Sequence, residues 1–213
     1  MRSLPSRADN DGVANADQVG SRKAVRDRDA DTIGAAVKNR FRLMQIRDLV
    51  AEDARAFQAL RLSALRECPS SFASSYEEEH QMPLAVVAER LVTNARRCVL
   101  GAWLAPDLVG IVGLQREEMR KLAHKAFIWG MYVAPNARRH GLGRALIDQA
   151  LLRAGSMNGV LQVNLGVNVT NVEAIKLYEA AGFTAFGIER GFMLLVGKLH
   201  DELHMVRNIN ARN

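Results

Sequence analysis

The sequence predicts an α/β domain, one twisted mixed sheet with helices on both faces, in the order β-α-α-β-β-β-α-β-α-β-β. Three observations lead there. Residues 126–133 form a near-continuous apolar run, the pattern of a central strand covered on both faces. Segments with apolar residues at helical spacing alternate with short strand-like runs along the chain. A length of 213 residues at 48% hydrophobic content suffices for one well-buried core, and no internal repeat divides it.

Residues 1–40 are rich in Arg, Asp, Asn, Gly and Ala and hold no aromatic residue. They bury too little apolar surface to offset their ordering entropy, so a disordered tail is expected there, with at most a marginal helix at 31–38. The domain is expected over 41–208, with a short tail at 209–213. A first strand spans 42–47. A helix follows at 52–66, with Ala54, Phe57, Leu60 and Ala64 on one face, and ends at Pro69. Residues 70–79 read as a polar loop carrying two aromatics, and 83–94 as a second helix with proline in its first turn. Strands at 98–103 and 108–115 are joined by a turn at Pro106-Asp107. Gly130 inside the central run suggests a bulge or a close backbone approach. The helix at 142–154 turns Leu142, Ala145, Leu146 and Ala150 inward, and 160–167 is the next strand. Thr170 to Glu173 reads as a capping box, Gly182 as the left-handed cap closing that helix, and 183–189 with 198–207 as a final strand pair.

Arg138-Arg139-His140-Gly141-Leu142-Gly143 lies between the central run and the helix that starts at Leu142. Glycine lets such a turn bend tightly and approach a ligand, and the first helical N–H groups have no intrahelical partner, so the turn suits an anion. Arg138, Arg139 and Arg144 add charge there, and guanidinium forks match phosphate oxygens. Alone, this pattern is also that of a plain tight turn. Downstream stand Asn171, Ala174, Leu177-Tyr178 and Gly182-Phe183. In order and spacing the two blocks resemble the GNAT N-acetyltransferase superfamily, whose signature is Arg/Gln-x-x-Gly-x-Gly/Ala followed by Asn-x-x-Ala-x-x-Leu-Tyr and Gly-Phe. The specific motifs lie within 126–183.

The resemblance implies transfer of an acetyl group from acetyl-CoA to a primary amine by direct attack in a ternary complex, with no metal. The backbone from Arg138 through Arg139, His140, Gly141, Leu142 and Gly143 to Arg144 would hold the pyrophosphate. Met131, Tyr132 and Val133 would pair with the pantetheine arm like a neighbouring strand, with Val133 N–H as donor to the thioester carbonyl. Asn171 would contact the arm, and Tyr178 would protonate the departing thiolate. Plain readings stand beside these: core strand for 131–133, helix cap for Asn171, packing for Tyr178. Many family members carry a Glu on the central strand, but 126–133 holds no acid. Glu77, Glu78, Glu79, Glu117, Glu118 and His124 are the candidate bases, each also readable as a solvated surface group. A base working through ordered water is equally allowed, and since freeing a lysine-like amine at pH 7 costs about 4.6 kcal/mol against about 1 kcal/mol for an α-amine, the missing carboxylate favours a low-pKa acceptor or activation supplied by the substrate. It also keeps a second reading open, a non-catalytic acyl-CoA-binding regulatory module. The loop at 69–81 and the stretch 116–125 are expected to wall the acceptor site.

Composition narrows the rest. No run nears the roughly 18 apolar residues of a membrane helix, and the N-terminus lacks a signal-peptide core, so a cytoplasmic location is expected without membrane partners. Cys68 and Cys98 read as small buried or half-buried thiols. A net charge of +6 suits an anionic ligand, but three tyrosines and no block of five Lys/Arg argue against a nucleic-acid platform. A homodimer is left open. His200 and His204 sit in no zinc motif: on a strand they lie about 13 Å apart.

Overall fold

The computed structural model describes residues 44–209. The expectations for 1–40, for the start of the first strand and for the last four residues lie outside that range. Ile209 N–H still donates to Leu161 O at 3.0 Å, so the ordered pairing runs to the end of the described chain.

In chain order the elements are β1 Gln45–Asp48, α1 Ala54–Glu67, α2 Tyr76–Glu79, α3 Leu84–Arg90, β2 Arg97–Leu104, β3 Asp107–Arg116, β4 Lys125–Val133, α4 Leu142–Ser156, β5 Gln162–Asn168, α5 Val172–Ala180, β6 Thr184–Leu195 and β7 Lys198–Asn208. The strands form one sheet in the order β1-β2-β3-β4-β5-β7-β6. Only β4 and β5 run parallel; the other neighbours are antiparallel. The element order is the expected one with α2 added. Ser75 caps α2 by accepting from Glu78 N–H at 3.2 Å while the Glu78 carboxylate accepts from Ser75 N–H at 2.7 Å. That capping box makes part of the expected 70–79 loop helical, and Pro69–Ser71 adds a 3-10 turn. The helix expected over 83–94 stops at Arg90. The last hairpin is longer than expected, because β6 resumes after a bulge between Glu189 and Met193 and turns through Val196-Gly197 at positive φ.

Strand alternation sends successive side chains to opposite faces and so builds two cores. Val99, Ile111 and Tyr132 pack with Phe57, Leu60 and Ala64 of α1 on one face. On the other, Leu142, Leu146, Ile147, Ala150, Leu151 and Ala154 of α4 are buried, and Leu146 lies against Gly110 of β3. Ile147 and Leu151 join the inward face expected of that helix, and Ala145 is only half-buried. Cys98 is buried, Cys68 half-buried, and both are free thiols. No helix among the described residues is long and apolar enough to cross a membrane.

Candidate active site

The sheet opens where β4 passes β5. Their parallel register holds for three pairs only, Lys125↔Gln162, Ala126↔Val163 and Phe127↔Asn164. Beyond it, β5 continues on β7 while β4 swings away. The cause is a bulge: Trp129 faces Gly113 and Tyr132 faces Ile111, so Gly130 and Met131 together oppose Val112. Gly130 carries φ +62°, the left-handed residue that bends such a strand. Ala134 N–H donates to Val109 O at 2.8 Å. Antiparallel pairs alternate between bonded and non-bonded, so the next pair, Val133 and Gly110, points its amide groups outward. Val133 N–H therefore faces the opening, and Val133 O accepts from Arg138 Nε at 2.8 Å.

The turn after β4 stands at one end of this opening. Pro135–Ala137 makes a 3-10 turn, Arg139 sits at φ +63°, and Gly141 caps α4 at φ +79° with no atom within 4 Å of where a Cβ would stand. The amides of Leu142, Gly143 and Arg144 have no intrahelical acceptor by position. Gly143 instead serves packing, because a Cβ there would come within 3.2 Å of Leu177 and 3.5 Å of Met131. This cradle of outward amides, with room over Gly141, fits a diphosphate.

The arginine side chains differ from the sequence expectation. Arg138 is tied down, with Nη2 donating to Glu67 Oε1 at 2.6 Å while Tyr132 OH donates to Glu67 Oε2 at 2.6 Å. Arg144 donates to both Asp148 oxygens at 2.9 Å and to Ala180 O at 2.8 Å, joining α4 to α5. Adjacent acceptors claimed both forks: the Arg144–Asp148 pair at i,i+4 is readable from helical spacing, the Arg138–Glu67 contact between distant segments is not. Arg139 remains exposed, and His140 Nδ1 lies 2.6 Å from Arg138 O. Tyr132 is buried on the α1 face, so its side chain points away from the α4 side that Met131 occupies. Burial and the Glu67 carboxylate both push its phenol pKa up.

Asn171, rather than Thr170, caps α5: its Oδ1 accepts from Ala174 N–H at 3.2 Å. Thr170 turns back to Asn168, donating through N–H and Oγ1 at 2.9 and 2.7 Å. At the other end Phe183 N–H reaches Tyr178 O at 3.0 Å and Gly182 N–H reaches Glu179 O at 2.8 Å, with Gly182 at φ +85°. This is the Schellman arrangement, and its customary apolar contact is the Tyr178–Phe183 ring pair, centroids 6.0 Å apart. The Gly-Phe motif thus fixes the Tyr178 ring. Tyr178 is buried, its hydroxyl has no hydrogen-bond partner among the described residues, and burial raises its pKa to about 12. It stays a proton donor across the physiological range.

Beside Gly130 lies a cavity of about 440 Å³ lined by Ser71–Ser74, by Trp129 and Gly130 of β4, by Phe186 and Phe192 of β6, and by Arg61, Glu202 and His204. Of the two stretches expected to wall an acceptor site, the 69–81 loop lines this cavity through Ser71–Ser74, while 116–125 contributes no lining residue and the last hairpin does. Glu202 and His204 share a face of β7, and the Glu202 carboxylate lies over Gly166, where a Cβ would come within 1.9 Å of Oε1. Burial raises the Glu202 pKa, nearby Glu189 adds to the rise and His204 opposes it. His204 Nδ1 is 3.9 Å from Glu202 Oε1 and Nε2 is 3.1 Å from Glu189 Oε2. None of the candidate bases named from sequence lines this cavity. Glu79 is bound by Arg61 and Ser74, Glu78 is in its capping box, and Glu77 and Glu118 are exposed. Glu202 was legible only as part of a strand of mixed polarity; its place opposite β4 comes from β7 inserting between β5 and β6.

Comparison with known proteins agrees with this geometry. The family model described as Acetyltransferase (GNAT) family matches residues 58–183. An uncharacterised protein of Mycobacterium leprae is 30% identical over 125 residues, 57% of this chain and 32% of that protein. A ribosomal-protein alanine N-acetyltransferase of Escherichia coli is 37% identical over 68 residues, 32% of this chain and 45% of the enzyme. The chain therefore spans less than half the length of these curated relatives. Among solved structures, a GNAT-family acetyltransferase of Streptococcus pneumoniae superposes with a TM-score of 0.70 at 20% identity, covering 78% of this chain and 99% of that one. A putative acetyltransferase of Salmonella typhimurium, solved with acetyl-CoA, gives 0.67 at 18% identity over 80% and 96%. With a family model covering more than half its length, and with the split sheet, amide-lined turn and Schellman-fixed tyrosine in place, the chain belongs to the GNAT acetyltransferase family.

Proposed function

We propose that the protein transfers an acetyl group from acetyl-CoA to a primary amine by direct attack within a ternary complex. The observation that carries this reading is the opening beyond Phe127, with outward amides at the 138–144 turn on one side and the Glu202 cavity on the other. Acetyl-CoA would supply the activated acyl thioester. The backbone of Arg139 to Arg144, with the Arg139 side chain, would hold its pyrophosphate, while Arg138 positions the turn through Glu67. Met131 and Val133 would flank the pantetheine arm through the open strand edge, and the Asn171 side-chain amide would meet that arm.

In the chemical step Glu202 takes the proton that the amine must lose, directly or through water, and the nitrogen lone pair forms the new C–N bond. Val133 N–H donates to the carbonyl oxygen as that oxygen gains charge. Breaking of the C–S bond is matched by a proton passing from Tyr178 OH to the sulfur. Two relatives are named for acetylating an alanine amine of a ribosomal protein, which supports an α-amine as acceptor. A carboxylate in the cavity favours turnover over the non-catalytic binding module, whose support was the missing strand acid. Thiol release from acetyl-CoA against an amine panel tests the proposal. Tyr178→Phe is expected to lower kcat about 10²-fold with acetyl-CoA binding kept. Tight acetyl-CoA binding without turnover on any amine would instead establish the binding module.

A further inference from the structure

Arg61 lies on α1 and is 6% exposed, a depth at which a guanidinium needs partners on every edge. Two of its nitrogens have them. Nε donates to Glu79 Oε1 and Oε2 at 3.3 Å each, and Nη2 donates to Glu79 Oε1 at 3.1 Å and to Ser74 Oγ at 2.7 Å. The guanidinium carbon lies 4.6 Å from the Phe72 ring centroid. Nη1 is different: it is buried and has no hydrogen-bond partner among the described residues. It borders the cavity, 3.9 Å from where a Cβ on Gly130 would stand. Arginine cannot relieve a bare donor by losing its proton. A buried donor left unpaired works against folding, yet this one is held in place by Glu79, Ser74 and Phe72 together.

We infer that Arg61 Nη1 is the specificity donor for the acceptor, and that the acceptor carries a carbonyl or carboxylate oxygen on the carbon next to its amine-bearing carbon. The inference rests on the acetyltransferase reading above. Proximity sets the chemistry. Nη1 adjoins Gly130 at the bulge, where the amine must approach the thioester, so the oxygen it receives lies within two bonds of the amine carbon. An α-amino acid or the first residue of a peptide satisfies this; the ε-amine of lysine leaves its nearest backbone oxygen several carbons away. Glu79 pairs with Arg61 at 3.1 Å and with Arg90 at 3.8 Å, and the bare Nη1 is met by a neutral peptide carbonyl as well as by a carboxylate.

The test measures kcat/KM, per unprotonated amine, for alaninamide, alanylglycine, free alanine, isopropylamine and Nα-acetyl-lysinamide. Alaninamide or alanine is expected to exceed isopropylamine and the ε-amine by about 10- to 100-fold, because the oxygen-free analogue leaves Nη1 bare. Preference for alanylglycine over alanine assigns a peptide N-terminus; the reverse assigns a free amino acid. Arg61→Lys, checked for folding by thermal melting, is expected to erase the preference by raising KM for the oxygen-bearing acceptors, with KM for acetyl-CoA unchanged. Equal rates for alaninamide and isopropylamine in the unaltered protein would overturn the inference while leaving the acetyltransferase reading intact. An equal fall of kcat for every acceptor in Arg61→Lys would overturn it too. Absence of thiol release from all five amines would overturn both.

Discussion

Tyr178 and Glu202 are both withdrawn from water, with opposite consequences for what each can do at neutral pH. Burial disfavours the charged form of each, so it keeps the phenol protonated and pushes the carboxyl upward. A phenol near 12 holds the proton a departing thiolate needs, while a raised carboxyl becomes a better acceptor of an amine proton once it has ionised. In the proposed mechanism kcat/KM per unprotonated amine is expected to rise with pH as Glu202 ionises, with the acid limb above the ordinary glutamate pKa of about 4.3. Glu202→Gln should remove that limb and lower the plateau by roughly 10²-fold. A pH–rate profile with the limb unmoved in the variant would take the base role away from Glu202. The tyrosine was legible in the sequence because its motif fixes its neighbours. The glutamate was not, because no local pattern says that β7, the last strand in the chain, lies between β5 and β6.

At the scale of elements, the two ends of α5 show how a short motif does structural work before any chemical work. Asn171 satisfies an orphan amide at the first turn, and Gly182 closes the last by adopting a left-handed conformation, bringing Phe183 onto Tyr178. A Cβ on Gly182 would meet only Arg207 atoms at 3.6 Å or beyond, so the penalty of substitution is backbone strain rather than collision. Gly182→Ala should therefore cost roughly 1–2 kcal/mol, measured by denaturant unfolding, and should lower kcat by freeing the Tyr178 ring. An unchanged unfolding midpoint would show that the left-handed cap is not required. The turn after β4 follows the same logic. Its arginines read as phosphate forks from spacing, but Glu67, Asp148 and two backbone carbonyls take Arg138 and Arg144, so the proposed anion site is left to the outward amides and Arg139.

For the whole molecule, three buried groups make folding sensitive to alkali in the same direction. Burial raises the Cys98 thiol to about 11 and Tyr178 to about 12, and burial together with Glu67 raises Tyr132. Each keeps its proton in the native state at a pH where the unfolded chain has lost it, so the stability they contribute is intact below pH 8–9 and drains as pH climbs through the native values. For Tyr178 the loss between about pH 10 and 12 is on the order of 2–3 kcal/mol. Denaturant midpoints measured across that range should fall, and the fall above pH 10 should be shallower in Tyr178→Phe. Equal slopes would place the native phenol near its unfolded value.

By itself the sequence determined the order of the strands and of every helix but α2, the central strand, the bulge glycine and the left-handed close of α5. Each is written in residues within about a dozen positions of one another, through periodicity, capping chemistry or the conformations open only to glycine. The tertiary structure decided what those elements enclose. Which carboxylate holds Arg138, which one borders the opening and which guanidinium nitrogen stays bare depend on strands and helices that lie well apart along the chain. Hydrogen bonds and burial at that range are fixed only when the sheet has closed, because side-chain reach is a few ångströms and says nothing about distance along the chain.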